Sequence, residues 1–130
     1  MIVVDTNVIA YLFLESEQTQ KARQWLAEDS GWHVPPLWRS EFMNILALYM
    51  RKELLSLKQA IAVQEQASSR FIDYEHQPLV TDVLTLAKQS GCTAYDCEFV
   101  ATAKALGCCL LTADKALLKA FSGVAVSFAR

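Results

Sequence analysis

The apolar positions of this chain fall into two kinds of run. Ile2-Val3-Val4 and Cys108-Cys109-Leu110-Leu111-Thr112 are short stretches with no polar alternation. Such runs suit strands buried on both faces, as in a parallel sheet covered by helices. Elsewhere the apolar residues recur at steps of three and four. Gln18 to Glu28 carries Ala22, Trp25 and Leu26 on one side, and Leu37 to Lys52 repeats Trp38, Phe42, Ile45 and Tyr49 with Leu46 beside them. These are amphipathic helices. The same pattern predicts helices over Val8 to about Leu14, Leu57 to Arg70, Leu79 to Ser90, Ala94 to Leu106 and Asp114 to Phe121, the last three closed by Gly91, Gly107 and Gly123. Short strands are expected at Trp32 to Val34, before Pro35-Pro36, at Phe71 to Tyr74 on a sheet edge, and at Val124 to Val126.

Strands interleaved with helices predict an α/β sandwich around a mostly parallel sheet of four to five strands. No stretch is linker-like and no repeat is present, so residues 1–130 read as a single domain. Hydrophobic residues make up 53% of the chain, which argues against disorder. The net charge of −2 excludes a basic coat for nonspecific nucleic-acid binding, so a polynucleotide would have to be held by local cations. Cys92, Cys97, Cys108 and Cys109 form no Cys-x-x-Cys pair and read as small hydrophobes in a reducing cytoplasm. The first residues lack the basic start of a signal peptide, and the run Val8 to Leu14 is too short to span a bilayer, so no membrane association is expected.

In an open parallel sheet, ligands bind beyond the carboxyl ends of the strands. Asp5 follows the first strand, Glu41 lies early in the helix after the second, and Thr112-Ala113-Asp114 follows the Cys108 strand. Asp96 stands in the first turn of the helix before that strand. Each acid has an ordinary structural reading. Asp5 and Asp114 suit helix N-caps, Thr93-Ala94-Tyr95-Asp96 resembles a capping box, and Glu41 near a helix start is favoured by the macrodipole. Two of the four exceed that reading. Glu41 shares a helical face with Leu37, Trp38, Ile45 and Leu48, and Asp96 shares one with Phe99, Val100 and Ala103. A carboxylate on an apolar stripe is costly unless something satisfies it, which places both stripes against a pocket. If the four acids converge, they repel, and no Lys or Arg at motif spacing neutralises them. A hard divalent cation would, and all-oxygen ligands select Mg²⁺ or Mn²⁺. Such ions activate water and stabilise a leaving oxygen in phosphodiester hydrolysis.

These residues resemble a known family. Val3-Val4-Asp5-Thr6-Asn7-Val8, Ser40-Glu41, Thr93-Ala94-Tyr95-Asp96 with Phe99-Val100-Ala101, and Leu110-Leu111-Thr112-Ala113-Asp114 look like the PIN-domain nucleases over essentially the whole chain. The block from Tyr95-Asp96 to Asp114 is most similar to the toxins of bacterial toxin–antitoxin pairs of the virulence-associated C type. The resemblance implies a three-layer α/β/α fold with strand order 3-2-1-4-5 and a Mg²⁺- or Mn²⁺-dependent endoribonuclease. It implies that Asp5, Glu41, Asp96 and Asp114 form the metal-binding acidic cluster, with Thr112 a polar neighbour and Asn7 orienting Asp5 or its loop. It also implies an RNA substrate, a homodimer and an antitoxin whose C-terminal segment blocks the groove. The alternative is a scaffold of the same fold that binds RNA or protein without cutting.

Other residues invite competing readings. Arg39, two residues before Glu41, is a candidate phosphate ligand, against the commoner reading of a solvated surface arginine. Trp25, Trp32 and Trp38 are expected in the core or an interface rather than stacked on bases. His33 and His76 are far from any other ligand type along the chain, so neither suggests a metal site, and His33 is expected to make an ordinary hydrogen bond. Ser40 lacks a Gly-x-Ser-x-Gly context, and no P-loop or Gly-rich dinucleotide turn occurs. Asn7 stands where a haloacid-dehalogenase-type phosphatase needs a second acid.

Overall fold

A computed structural model describes residues 1–130. The chain runs β1 (Ile2–Val4), α1 (Thr6–Phe13), α2 (Thr19–Glu28), β2 (Trp32–His33), α3 (Trp38–Arg51), α4 (Leu57–Phe71), α5 (Val80–Ser90), α6 (Ala94–Leu106), β3 (Leu110–Thr112), α7 (Lys115–Ala120) and β4 (Ala125–Ser127). All strand pairs are parallel, in the order β2-β1-β3-β4. Val3 pairs with His33 on one side and Leu110 on the other, which makes β1 a central strand. Val3, Val4, Leu110 and Leu111 are completely buried, as expected for strands covered on both faces.

The helices form two packed groups about the sheet. α1 packs with α2, α3 and α4, whereas α5 packs with α6, and α6 lies on β1 and β3. This is the α/β/α layering. On α3 the core stripe is Trp38, Phe42 and Leu46, so Ile45 and Tyr49 fall to the half-buried flank. Trp38, Phe42, Phe71 and Phe13 stack into one aromatic group between α1, α3 and α4. All three tryptophans are core residues: Trp25 donates Nε1–H to the Phe128 carbonyl at 3.0 Å, and Trp38 donates its own to Glu75 at 2.7 Å.

One expected element is absent. Phe71 to Tyr74 is no strand, because Phe71 continues the buried stripe of α4 through Ala60 and Ala67, and the helix runs on to include it. The chain then turns, with Tyr74 N–H bonded to the Phe71 carbonyl. Only Glu75 meets the sheet, as a single parallel bridge to Val34. That bridge stands beside β2, where the third strand of the expected order 3-2-1-4-5 would lie, so four strands remain.

Loop ends follow local chemistry. Gly91 and Gly107 close α5 and α6 in the left-handed conformation, with φ of 72° and 67°, where a Cβ would be strained. Ser56 and Gln59 form a reciprocal capping box at the start of α4.

Candidate active site

Asp5 ends β1 and begins α1. Its Oδ1 accepts the Val8 N–H at 3.1 Å, capping the helix, while its Oδ2 accepts the hydroxyl of Thr112 from the end of β3. Thr112 in turn accepts the Asp114 N–H at 3.0 Å. Asp114 caps α7 through Oδ1, which accepts Ala116 and Leu117 N–H at 2.8 and 3.1 Å. Both aspartates are therefore the caps that the sequence allowed, and both also face the pocket. Capping occupies one oxygen of each, and Oδ2 of Asp114 takes no protein hydrogen bond.

Glu41 reaches the same pocket from the first turn of α3, where its Oε1 accepts the Thr6 hydroxyl at 2.7 Å. Asp96 enters from the first turn of α6, whose N-cap Thr93 accepts the Asp96 N–H at 3.1 Å. The return bond of a full capping box is not made, so the Asp96 carboxylate is left to the pocket. Asp5, Glu41, Asp96 and Asp114 together line a cavity of about 250 Å³ with Thr6, Asn7, Asn44, Ile45, Phe99 and Leu117. Of the apolar stripes that carry Glu41 and Asp96, Ile45 and Phe99 form apolar wall of the cavity, whereas Leu48 is exposed.

Electrostatics tie the acids into a ring. Asp5 is 7% exposed, and burial pushes its carboxyl up to about 6, against the hydrogen bonds from Thr112 and Val8 and with the charges of Asp114 and Glu41 adding to the rise. Glu41 is raised by burial, opposed by the Thr6 hydroxyl, and raised further by Asp96 and Glu98. Asp96 is raised by burial and then by Asp114, opposed by the Thr93 hydroxyl. Asp5, Glu41 and Asp96 thus each feel a neighbouring acid, and no lysine, arginine or histidine lines the cavity to offset them.

The remaining predicted residues are placed differently. Asn7 lines the pocket but makes no hydrogen bond to Asp5, whose orientation comes from Val8 and Thr112. Arg39 does not reach the pocket. It is clamped on Glu75, with Nε to Oε2 at 2.6 Å and the outer nitrogen to Oε1 at 2.9 Å, because the Glu75 bridge brings a carboxylate alongside α3. Three polar contributors went unassigned in the sequence. Thr6 and Asn44 were within reach of helical spacing, being next to Asp5 and one turn after Glu41. Glu98 was not, since only the tertiary fold brings its charge, on α6, to bear on Glu41 of α3.

The donor set suits a hard divalent cation. It offers only oxygens, carries excess negative charge in a half-enclosed space, and keeps oxygens of Asp114 and Glu41 unspent. No three of the His, Cys, Asp and Glu side chains form a ready-made chelating cluster. An ion held here would therefore take much of its shell from water, as Mg²⁺ usually does.

Comparison with known proteins bears on this pocket. The family model of the PIN domain matches residues 2–122. Ribonuclease VapC3 of Pyrobaculum aerophilum is 29% identical over 123 residues, spanning 92% of this chain and 94% of the relative. Among solved structures, PAE2754 of the same organism superposes with a TM-score of 0.71 at 23% identity, covering 98% of this chain and 90% of that one. FitAcB of Neisseria gonorrhoeae gives 0.73 at 23%, covering 98% and 96%, and a toxin–antitoxin complex from Klebsiella pneumoniae gives 0.67 at 17%, covering 98% of both. With four acids at the carboxyl edge of a parallel sheet and a family match over nearly its whole length, this chain belongs to the PIN domain family.

Proposed function

We propose that the chain is a divalent-cation-dependent endoribonuclease and the toxin member of a toxin–antitoxin pair, acting in the cytoplasm as a homodimer. One observation carries the nuclease reading: four carboxylates from β1, α3, α6 and the β3–α7 turn line one cavity with no protein cation among them. The likeness to a protein named a ribonuclease supports RNA as the substrate, and the likeness to a solved toxin–antitoxin complex supports an antitoxin partner.

Asp5, Glu41, Asp96 and Asp114 would hold Mg²⁺ or Mn²⁺, which when bound offsets their repulsion, polarises a phosphoryl oxygen and lowers the pKa of a water. The chain itself supplies positioning. Thr112 fixes Asp5 and, by accepting from the Asp114 backbone, sets the start of α7. Thr6 fixes Glu41, so α1 orients an acid borne by α3. Besides Thr6, the amides of Asn7 and Asn44 are the uncharged hydrogen-bonding side chains of the cavity wall, and they would hold phosphate or ribose oxygens.

The test is cleavage of single-stranded RNA by untagged protein with Mn²⁺, with EDTA, and with Asp96→Asn. Cleavage that EDTA abolishes and that the variant reduces at least about 100-fold is expected. Unchanged cleavage by Asp96→Asn removes Asp96 from the site. RNA or protein binding without any Mn²⁺-dependent cleavage would instead favour the non-catalytic scaffold.

A further inference from the structure

The two histidines of the chain, 43 residues apart, meet at the sheet edge: His33 Nδ1 on β2 lies 2.8 Å from His76 Nε2, and the ring centroids are 5.0 Å apart. Backbone pairing holds them there. Val34 N–H bonds to the Tyr74 carbonyl at 3.0 Å, His76 N–H bonds to the Val34 carbonyl at 2.9 Å, and the Arg39–Glu75 clamp ties the intervening residue to α3. Neither imidazole has a carboxylate partner, and the outer nitrogens, His33 Nε2 and His76 Nδ1, make no protein hydrogen bond. Both rings are half-buried, so solvent reaches the pair.

We propose that His33 and His76 form a two-imidazole site for a borderline divalent transition-metal ion of the zinc, nickel or copper class, separate from the carboxylate pocket. Neutral imidazole is a preferred ligand for these ions, whereas oxygen-only sites favour magnesium and manganese. His33 is already biased to the neutral form, by burial first and then by the charges of His76 and the amino terminus, with Asp29 opposing. In the metal-free pair one N–H lies between the facing nitrogens. Metal binding requires both to present lone pairs, so that proton moves to an outer nitrogen of the same ring. Each ring keeps one N–H, and the neutral pair releases no net proton. Metal–nitrogen bonds of about 2.0–2.1 Å put two tetrahedral ligands roughly 3.3 Å apart, so the rings need to separate by about half an ångström and tilt until both lone pairs converge on one point. No third side chain completes the set, so water fills the other positions and the ion exchanges freely. The bound ion would cross-link β2 to the segment joining α4 and α5.

Untagged protein titrated with Cu²⁺ tests this by electron paramagnetic resonance, and with Ni²⁺ or Zn²⁺ by thermal unfolding. Copper hyperfine structure from two nitrogens is expected, together with a rise in Tm with Ni²⁺ or Zn²⁺. Both should persist in Asp5→Asn and, in that background, disappear on adding His76→Gln or His33→Gln, each of which should retain the unliganded Tm of Asp5→Asn to within a few degrees. The proposal is overturned if the histidine variants keep the signal, if no nitrogen coupling appears, or if the Tm rise is lost with Asp5→Asn alone. Because Asp5→Asn addresses the carboxylate pocket and the glutamine variants address the histidines, failure of either site is read independently of the other.

Discussion

The hydroxyl of Thr112 donates to Asp5 Oδ2 across 107 residues of chain, joining the ends of neighbouring strands β1 and β3. The same oxygen accepts the backbone N–H of Asp114. One uncharged side chain therefore positions two of the four acids and favours the ionised form of the most buried one.

Thr112→Val keeps the shape and removes both bonds. A hydrogen bond to a charged group is worth about 1.5–3 kcal/mol, so Asp5 should titrate higher still and RNA cleavage at neutral pH should fall roughly 10- to 100-fold. Thr112→Ser should restore most of the rate. A pH–rate profile in which the valine variant's acidic limb moves upward checks the cause, and an unmoved limb would point to a purely structural effect.

Burial of Asp5 sets the sign of a pH effect on the metal-free fold. Its carboxyl is raised from 3.8 to about 6, so the folded state binds the proton more tightly than the unfolded chain does. The associated stabilisation is complete below about pH 4 and is lost as pH rises through about 6, amounting to about 3 kcal/mol at most. Thermal unfolding in EDTA should show Tm falling over that window. Asp5→Asn should flatten the fall and raise Tm at pH 8, since Asn also caps a helix. Mn²⁺ should raise Tm at pH 8 in the wild type far more than in this variant.

Asp114 combines a cap with a candidate ligand, and two substitutions separate the roles. Asp114→Asn keeps the acceptor for Ala116 and Leu117 and should leave Tm nearly unchanged while abolishing cleavage. Asp114→Ala should abolish cleavage and also cost about 1 kcal/mol, the usual value of a lost cap. Equal Tm values for the two variants would show that the cap bonds add nothing to stability.

Much of this arrangement is legible without coordinates. The β-branched run Ile2-Val3-Val4 and the apolar run ending at Thr112 can be satisfied only by strands buried on both faces, and Gly91 and Gly107 stop helices because their backbone needs positive φ. Glu41 and Asp96 were identifiable because a carboxylate on an apolar helical stripe demands a polar cavity. Local pattern misleads at Phe71 and Arg39, where an interaction crosses the chain. Phe71 looks like a strand residue by type, yet its contact with Trp38 makes it the last residue of a helix. Arg39 looks available for phosphate until Glu75, 36 residues on, clamps its Nε and one outer nitrogen and holds the side chain away from the pocket.

Local order along the chain thus determined most element types, the parallel sheet and the four candidate acids, since periodicity and backbone stereochemistry act over a few residues. Which oxygen of each acid is spent on a cap, which hydroxyl steadies it, and whether two distant imidazoles touch were decided only by packing. Those outcomes depend on distances of a few ångströms between segments that the sequence separates by tens of residues.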